Sequence, residues 1–170
     1  MRINALKDED FVNYKKPAMF LGTIKCDWKC CTEHNMDKSI CQNSSLSKAE
    51  IMDIPTDVIF RRYISNPITK AVVIGGLEPF LQFDEIFELI KYFRERSCND
   101  RFIVYTGYYE AEILDQVFRL SRLKNIIIKF GRYIPDQEKH FDEVLGISLA
   151  SDNQYAKVID ESKGEIVTIC

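Results

Sequence analysis

No stretch of this 170-residue chain stays apolar for long enough to cross a bilayer, and the first ten residues, MRINALKDED, lack the apolar core of a secretory signal. Neither sign of charge dominates: 23 Lys and Arg stand against 26 Asp and Glu, giving a net charge of -3 and a pI near 5.5. A chain without a basic field has no electrostatic means of holding a nucleic-acid backbone, and acidity this mild names no other partner. No internal repeat in residue identity is present. These absences lead us to expect a cytoplasmic protein that binds neither membrane nor nucleic acid. Apolar residues, by contrast, are plentiful. At 46% hydrophobic and 12% aromatic, the chain can bury one substantial core, so a single domain over residues 1–170 is expected rather than two.

Four of the six cysteines fall between Cys26 and Asn43, in the segment CDWKCCTEHNMDKSICQN. In a reducing cytosol such clustering signals metal ligation or redox chemistry before it signals disulfides, and adjacent Cys30 and Cys31 would make an awkward staple. Three residues separate Cys26 from Cys30 and ten separate Cys30 from Cys41. The spacing admits two metals. A closed zinc site could draw on Cys26, Cys30 or Cys31, Cys41 and His34. Three thiolates could instead hold a 4Fe-4S cluster with one iron left open to a substrate.

The remaining pattern alternates strands and helices. Apolar runs predict strands at 19–24, 69–74, 101–106 and 125–130, and helical periodicity predicts helices over 57–65, 83–96 and 109–122. Residues 1–17 read as a polar lead-in with Phe11, Val12 and Tyr14 laid on the core. Residues 132–170 read as an irregular C-terminal segment, with a hairpin pairing 155–159 and 165–169 around Lys163-Gly164. The order strand, loop, helix predicts a parallel sheet with right-handed crossovers, either a partial open (β/α) barrel or a doubly wound sheet.

Parallel strands gather their C-terminal ends on one rim, where such folds place their chemistry. That rim would carry Cys26, Gly75-Gly76 with Glu78, Thr106-Gly107 and Gly131-Arg132. Gly75 and Gly76 permit a backbone turn that a side chain would block. Glu78, fixed by Pro79, supplies a carboxylate suited to a ligand ammonium. Cys98, Cys170, His34, His140, Arg61-Arg62 and the 94–96 charge cluster read most simply as incidental thiols and solvated groups.

Several of these motifs, in order, carry a family resemblance. Cys26-x3-Cys30 followed by Cys41-Gln42-Asn43 resembles the C-x3-C-x2-C motif of the radical S-adenosylmethionine superfamily, with eight extra residues before the last cysteine. Gly75-Gly-Leu-Glu-Pro79 resembles that superfamily's Gly-Gly-Glu-Pro motif with one insertion. Val104-Tyr-Thr-Gly-Tyr108, Gly131-Arg-Tyr-Ile-Pro-Asp136 and Ser151-Asp-Asn-Gln154 are similar to segments of the activating proteins of anaerobic ribonucleotide reductases. The resemblance spans residues 20–154. It implies an α/β fold, a partial open (β/α) barrel with a mostly parallel sheet. It further implies a 4Fe-4S cluster held by Cys26, Cys30 and Cys41, with Cys31 the alternative second ligand, and S-adenosyl-L-methionine bound at the open iron.

On the same resemblance, Gly75, Gly76 and Glu78 hold the methionyl ammonium. The strand pattern places Lys129 and Arg132 near the rim, where either can meet the carboxylate, with Thr106 and Asn153 as further candidates. The implied activity is reductive cleavage of S-adenosylmethionine to a 5'-deoxyadenosyl radical that installs a glycyl radical. The implied partners are the large subunit of an anaerobic ribonucleotide reductase and an electron donor such as flavodoxin or ferredoxin. Ile40 stands where the superfamily usually has an aromatic residue against the adenine, leaving Trp28 or Tyr105 as other stacking candidates. The inserted residues 32–39 are placed to shape a partner surface.

Overall fold

β-branched and aromatic runs that are apolar on both faces can be satisfied only inside a covered parallel sheet, and four such runs form its centre. The computed structural model describes residues 1–159. In chain order the elements are β1 (Arg2–Ile3), β2 (Ala5–Asp10), β3 (Ala18–Thr23), α1 (Lys29–Glu33), β4 (Met52–Asp53), α2 (Thr56–Ile64), β5 (Ala71–Gly76), α3 (Phe83–Glu95), β6 (Arg101–Tyr105), α4 (Leu114–Ser121), β7 (Ile126–Phe130), β8 (His140–Asp142), β9 (Ile147–Leu149) and β10 (Tyr155–Ile159). Strands β3, β5, β6 and β7 pair in parallel, and β2 and β10 close the two edges antiparallel, giving a six-stranded sheet in the order β10-β7-β6-β5-β3-β2. No helix among the described residues is long and apolar enough to cross a membrane.

The four parallel strands lie side by side in sequence order, with none of the order reversal that defines a doubly wound sheet. The packing agrees. Ile59 and Tyr63 of α2, Ile86, Leu89, Ile90 and Phe93 of α3, and Val117 and Leu120 of α4 all join the cluster built on Met19, Leu21, Val72, Ile74, Phe102, Val104, Ile126 and Ile128. All three long helices therefore cover one face. The opposite face, carrying Ala18, Ala71, Val73, Ile103 and Ile127, is covered by Tyr14 and by Leu145 and Leu149 of the β8–β9 region. One-sided winding leaves the sheet open, and among the described residues no helix packs on its second face.

Three segments depart from the sequence expectation. The polar lead-in forms the short β1 and then the sheet strand β2. Its residues ALKDED are charged because it is the sheet edge, where charge blocks pairing with other chains. Of its three expected anchors only Tyr14 is buried, Phe11 and Val12 being exposed. The helix expected over 109–122 is broken into a 3-10 turn, Glu110–Glu112, and the shorter α4. The Glu112 carboxylate accepts the Tyr109 N–H at 2.8 Å, which closes the turn, and Leu114 and Phe118 are left facing outward. The 137–150 stretch forms the β8–β9 hairpin. Residues 155–159 pair with β7 as β10; their expected partner, 165–169, lies outside the described residues, as does Cys170.

Candidate iron-sulfur site

The C-terminal ends of the parallel strands meet at one cavity, lined by Cys26, Asp27, Lys29, Cys30, Glu78, Gly107, Tyr108 and Arg132. Residues from the loops after β3, β5, β6 and β7 thus converge as the strand order requires. A wider, open groove at the other end of the sheet is lined by Asp8, Glu9, Arg62 and residues 65–68. There Arg62 is spent on Asp8 and Asn66 on Glu9, so no unpaired chemistry converges.

Glu78 is 6% exposed and is held on both oxygens. Its Oε1 accepts from the Phe80 N–H at 3.0 Å and the Thr106 hydroxyl at 2.7 Å; its Oε2 accepts from the Gly107 N–H at 2.9 Å. Burial pushes the carboxyl up to about 6, against those three hydrogen bonds, which favour the charged form. Thr106 is therefore a support for Glu78. Gly75 presses between Tyr105 and Phe20, a Cβ there lying 3.3 Å from Tyr105 Cβ. Gly76 has φ +85, and a Cβ on it would meet Leu46 Cδ1 at 3.0 Å. Its glycine lets the segment that follows Cys41 approach the sheet edge.

The thiols of Cys26, Cys30 and Cys41 are free and half-buried, whereas that of Cys31 is buried. Cys26 accepts the Trp28 N–H at 3.3 Å, and Trp28 itself is left-handed at φ 61, a strained conformation for a bulky residue. Burial pushes Cys26 up to about 11, with Glu78, Asp27 and Cys41 adding to it. Burial also raises Cys30, helped first by Cys31, whose sulfur is 3.9 Å away, and then by Cys41 and Cys26. Cys26 and Cys30 both line the cavity with thiols that burial holds protonated near neutral pH, so a cation is needed to draw out their thiolates, the form that an iron-sulfur cluster requires. Among the described residues no three His, Cys, Asp or Glu side chains converge closely enough for a single metal ion. The thiols at the cavity, Cys26 and Cys30, have the ligand chemistry that an iron-sulfur cluster requires. His34 takes no part in the cavity, and Ile40 is exposed. The Tyr105 hydroxyl donates to the Asn13 carbonyl at 2.6 Å.

Lys129 is 7% exposed, on the helix-free face of β7, and donates to the Gly131 carbonyl at 2.8 Å. Burial lowers it to about 7, partly offset by Glu78 and Cys30, whose negative forms favour the ammonium. Its folded pKa lies below the unfolded 10.5, so between these values the unfolded chain binds the extra proton and stability rises with pH. In iron-free protein, urea unfolding between pH 7 and 8.5, below the range where the raised thiols titrate, is expected to show a rise of roughly 1–2 kcal/mol from this group. Lys129→Met removes the rise; an unchanged slope in that variant contradicts the assignment.

The three C-terminal motif segments also come together. Asn153 Nδ2 donates to the Arg132 carbonyl at 2.9 Å and to the Tyr109 hydroxyl at 3.1 Å, and Gln154 Nε2 donates to the Gly131 carbonyl at 3.2 Å. Asn153 is thus a brace for the loop. Gly131 has φ +97, and an added Cβ would lie 2.9 Å from the Asn153 carbonyl oxygen. Gly131→Ala is expected to destabilise the protein by about 1–3 kcal/mol, read as a lowered thermal midpoint. Sequence reasoning missed Asp27, Tyr108 and Glu112. Tyr108 donates to Asp27 Oδ2 at 2.7 Å, and Glu112, drawn down to about 2 chiefly by Arg132, receives that guanidinium. Only the repeated aromatic of the 104–108 segment hinted at a contact.

Residues 19–155 match the family model of a 4Fe-4S single cluster domain. No curated protein and no solved structure matches the chain.

Proposed function

Because the chain belongs to the 4Fe-4S single cluster domain family, we propose that Cys26, Cys30 and Cys41 hold its cluster through three thiolates and leave the fourth iron to S-adenosylmethionine. The observation that carries the reading is the shared cavity of Cys26, Cys30 and Glu78, which sets a buried carboxylate beside the thiols. A cluster held by Cys26, Cys30 and Cys41 would supply the one-electron reduction that, with an electron from an external donor, cleaves a bound S-adenosylmethionine to methionine and a 5'-deoxyadenosyl radical able to take a hydrogen atom from a glycine Cα.

The chain's own residues do the positioning. Glu78, fixed by Phe80, Thr106 and Gly107, receives the methionyl ammonium at the end of β5, where Gly75 and Gly76 keep the backbone close. Lys129, with one hydrogen bond spent on Gly131, has donors left for the methionyl carboxylate. Cys30 takes precedence over Cys31 because it keeps the x3 spacing from Cys26 and its thiol is half-buried, whereas that of Cys31 is buried; Cys41 lies outside the cavity lining and is assigned on the motif and its half-buried thiol. The glycine belongs to the large subunit of an anaerobic ribonucleotide reductase, and a flavodoxin or ferredoxin supplies the electron. Support for this partner is the 104–108, 131–136 and 151–154 segments, which pack around one rim. Mixing the reduced, loaded protein with such a reductase and S-adenosylmethionine is expected to give a glycyl-radical paramagnetic signal matched by 5'-deoxyadenosine. Deoxyadenosine without a protein radical would move the substrate to another peptide or small molecule.

A further inference from the structure

The short helix α1 carries Cys30, yet little apolar surface holds it. It is five residues long, below the length at which a helix is stable alone; its N-cap Trp28 makes no side-chain cap bond, and Cys31 is its one buried residue. Charged side chains take over. Lys29 and Glu33 lie about one turn apart and so share a face of α1. Lys29 Nζ is 3.1 Å from Glu112 Oε1, and Glu33 Oε2 is 2.9 Å from Arg132 Nε, a charge contact without an aligned hydrogen bond. Arg132 completes a ring by donating to both Glu112 oxygens, at 2.6 and 2.8 Å. Around the ring the signs alternate. Asp27 adds a tether to the Tyr108 hydroxyl, and Lys29 lies 4.6 Å above the Tyr108 ring.

Arg132 is the hub. Its side chain is 3% exposed, its backbone is braced by Asn153 and turned by Gly131, and its fork geometry suits two carboxylates at once. A guanidinium so occupied has little left for a cofactor carboxylate. Resting on the cluster reading above, we propose that Arg132, Glu112, Lys29 and Glu33 form a clamp that fixes α1 and so sets the Cys30 thiolate against the cavity. Arg132 is then a positioning residue.

The test begins with the iron-free full chain. Within and just after α1, the Cys31 and Thr32 amides donate to the Trp28 carbonyl, and the Met36 amide donates to that of Cys31, so their hydrogen exchange reports α1 directly. Glu33→Gln and Glu112→Gln are expected to speed that exchange about fivefold, and Arg132→Gln about tenfold or more. In the reconstituted protein the same ranking is expected for iron loss to a chelator, with broadened cluster resonances and unchanged affinity for S-adenosylmethionine. Glu33 is about half exposed, so its variant folds even where Arg132→Gln does not. Unchanged exchange in both glutamate variants overturns the clamp. So does an Arg132→Gln protein that loses S-adenosylmethionine affinity while its α1 amides stay protected, since Arg132 then touches the cofactor. Failure of the wild type to take up iron counts against the cluster reading, and the iron-free exchange still decides the clamp.

Discussion

Cys41→Ala is expected to leave a folded chain that retains fewer than about one iron where the parent retains about four. Cys41 ends a 3-10 turn held by backbone bonds, its N–H donating to the Lys38 carbonyl and its carbonyl accepting from Ser44. Removing the sulfur leaves those bonds in place, so the loss is one of ligation and not of folding. A two-thiolate site also lacks the electrostatic drive that expels protons from raised thiols. Cys30→Ala is expected to behave in the same way, whereas Cys31→Ala keeps the cluster at a modest cost in stability. Iron and sulfide analysis of these three cysteine variants settles the second and third ligands. An intact cluster in Cys41→Ala means that another residue is the third ligand, and cluster loss in Cys31→Ala with retention in Cys30→Ala makes Cys31 the second.

Glu78→Gln is expected to preserve the cluster and weaken S-adenosylmethionine binding by about tenfold or more, since a charge-assisted bond to the ammonium becomes a neutral one. The amide also meets the wrong partners. One of its ends must face the Gly107 N–H or the Phe80 N–H with an N–H of its own. The charge has a pH signature. Because the folded pKa is raised from 4.5 to about 6, the folded state keeps a proton that the unfolded chain has lost between those values. Stability therefore falls by about 2 kcal/mol as pH rises through that window, and Glu78→Gln abolishes the fall. Cofactor affinity should run the other way, rising through pH 6 as the carboxylate ionises. Equilibrium binding at pH 5.5 and 6.5, below the point at which Lys129 loses its charge, checks this, and an affinity independent of both pH and the Gln substitution would remove Glu78 from the site.

The parts of this arrangement that were readable from sequence are those with a period or a punctuation mark. The runs around Met19, Val72, Ile103 and Ile127 are apolar on both faces, and each ends near a glycine or a polar residue, so the strands and their shared rim followed from pattern. The thiol spacing and the carboxylate after Gly75-Gly76 could be read in the same way. The edge strand β2 could not: with one face half-exposed and a solvent edge to defend, its ALKDED sequence reads as loop. Nor could the break at Ile113, where the helical stripe continues in sequence but Glu112 is claimed by Tyr109 and Arg132. The clamp on α1 joins residues 29, 33, 112 and 132, and pairing between side chains so far apart in the chain leaves no periodic trace.

The most direct test of the central claim is anaerobic reconstitution with iron and sulfide, followed by reduction and addition of S-adenosylmethionine. The account predicts about four irons per chain, a cluster resonance that shifts when S-adenosylmethionine is added, and release of 5'-deoxyadenosine. A colourless protein that binds one zinc tightly and gives no response to S-adenosylmethionine would contradict it.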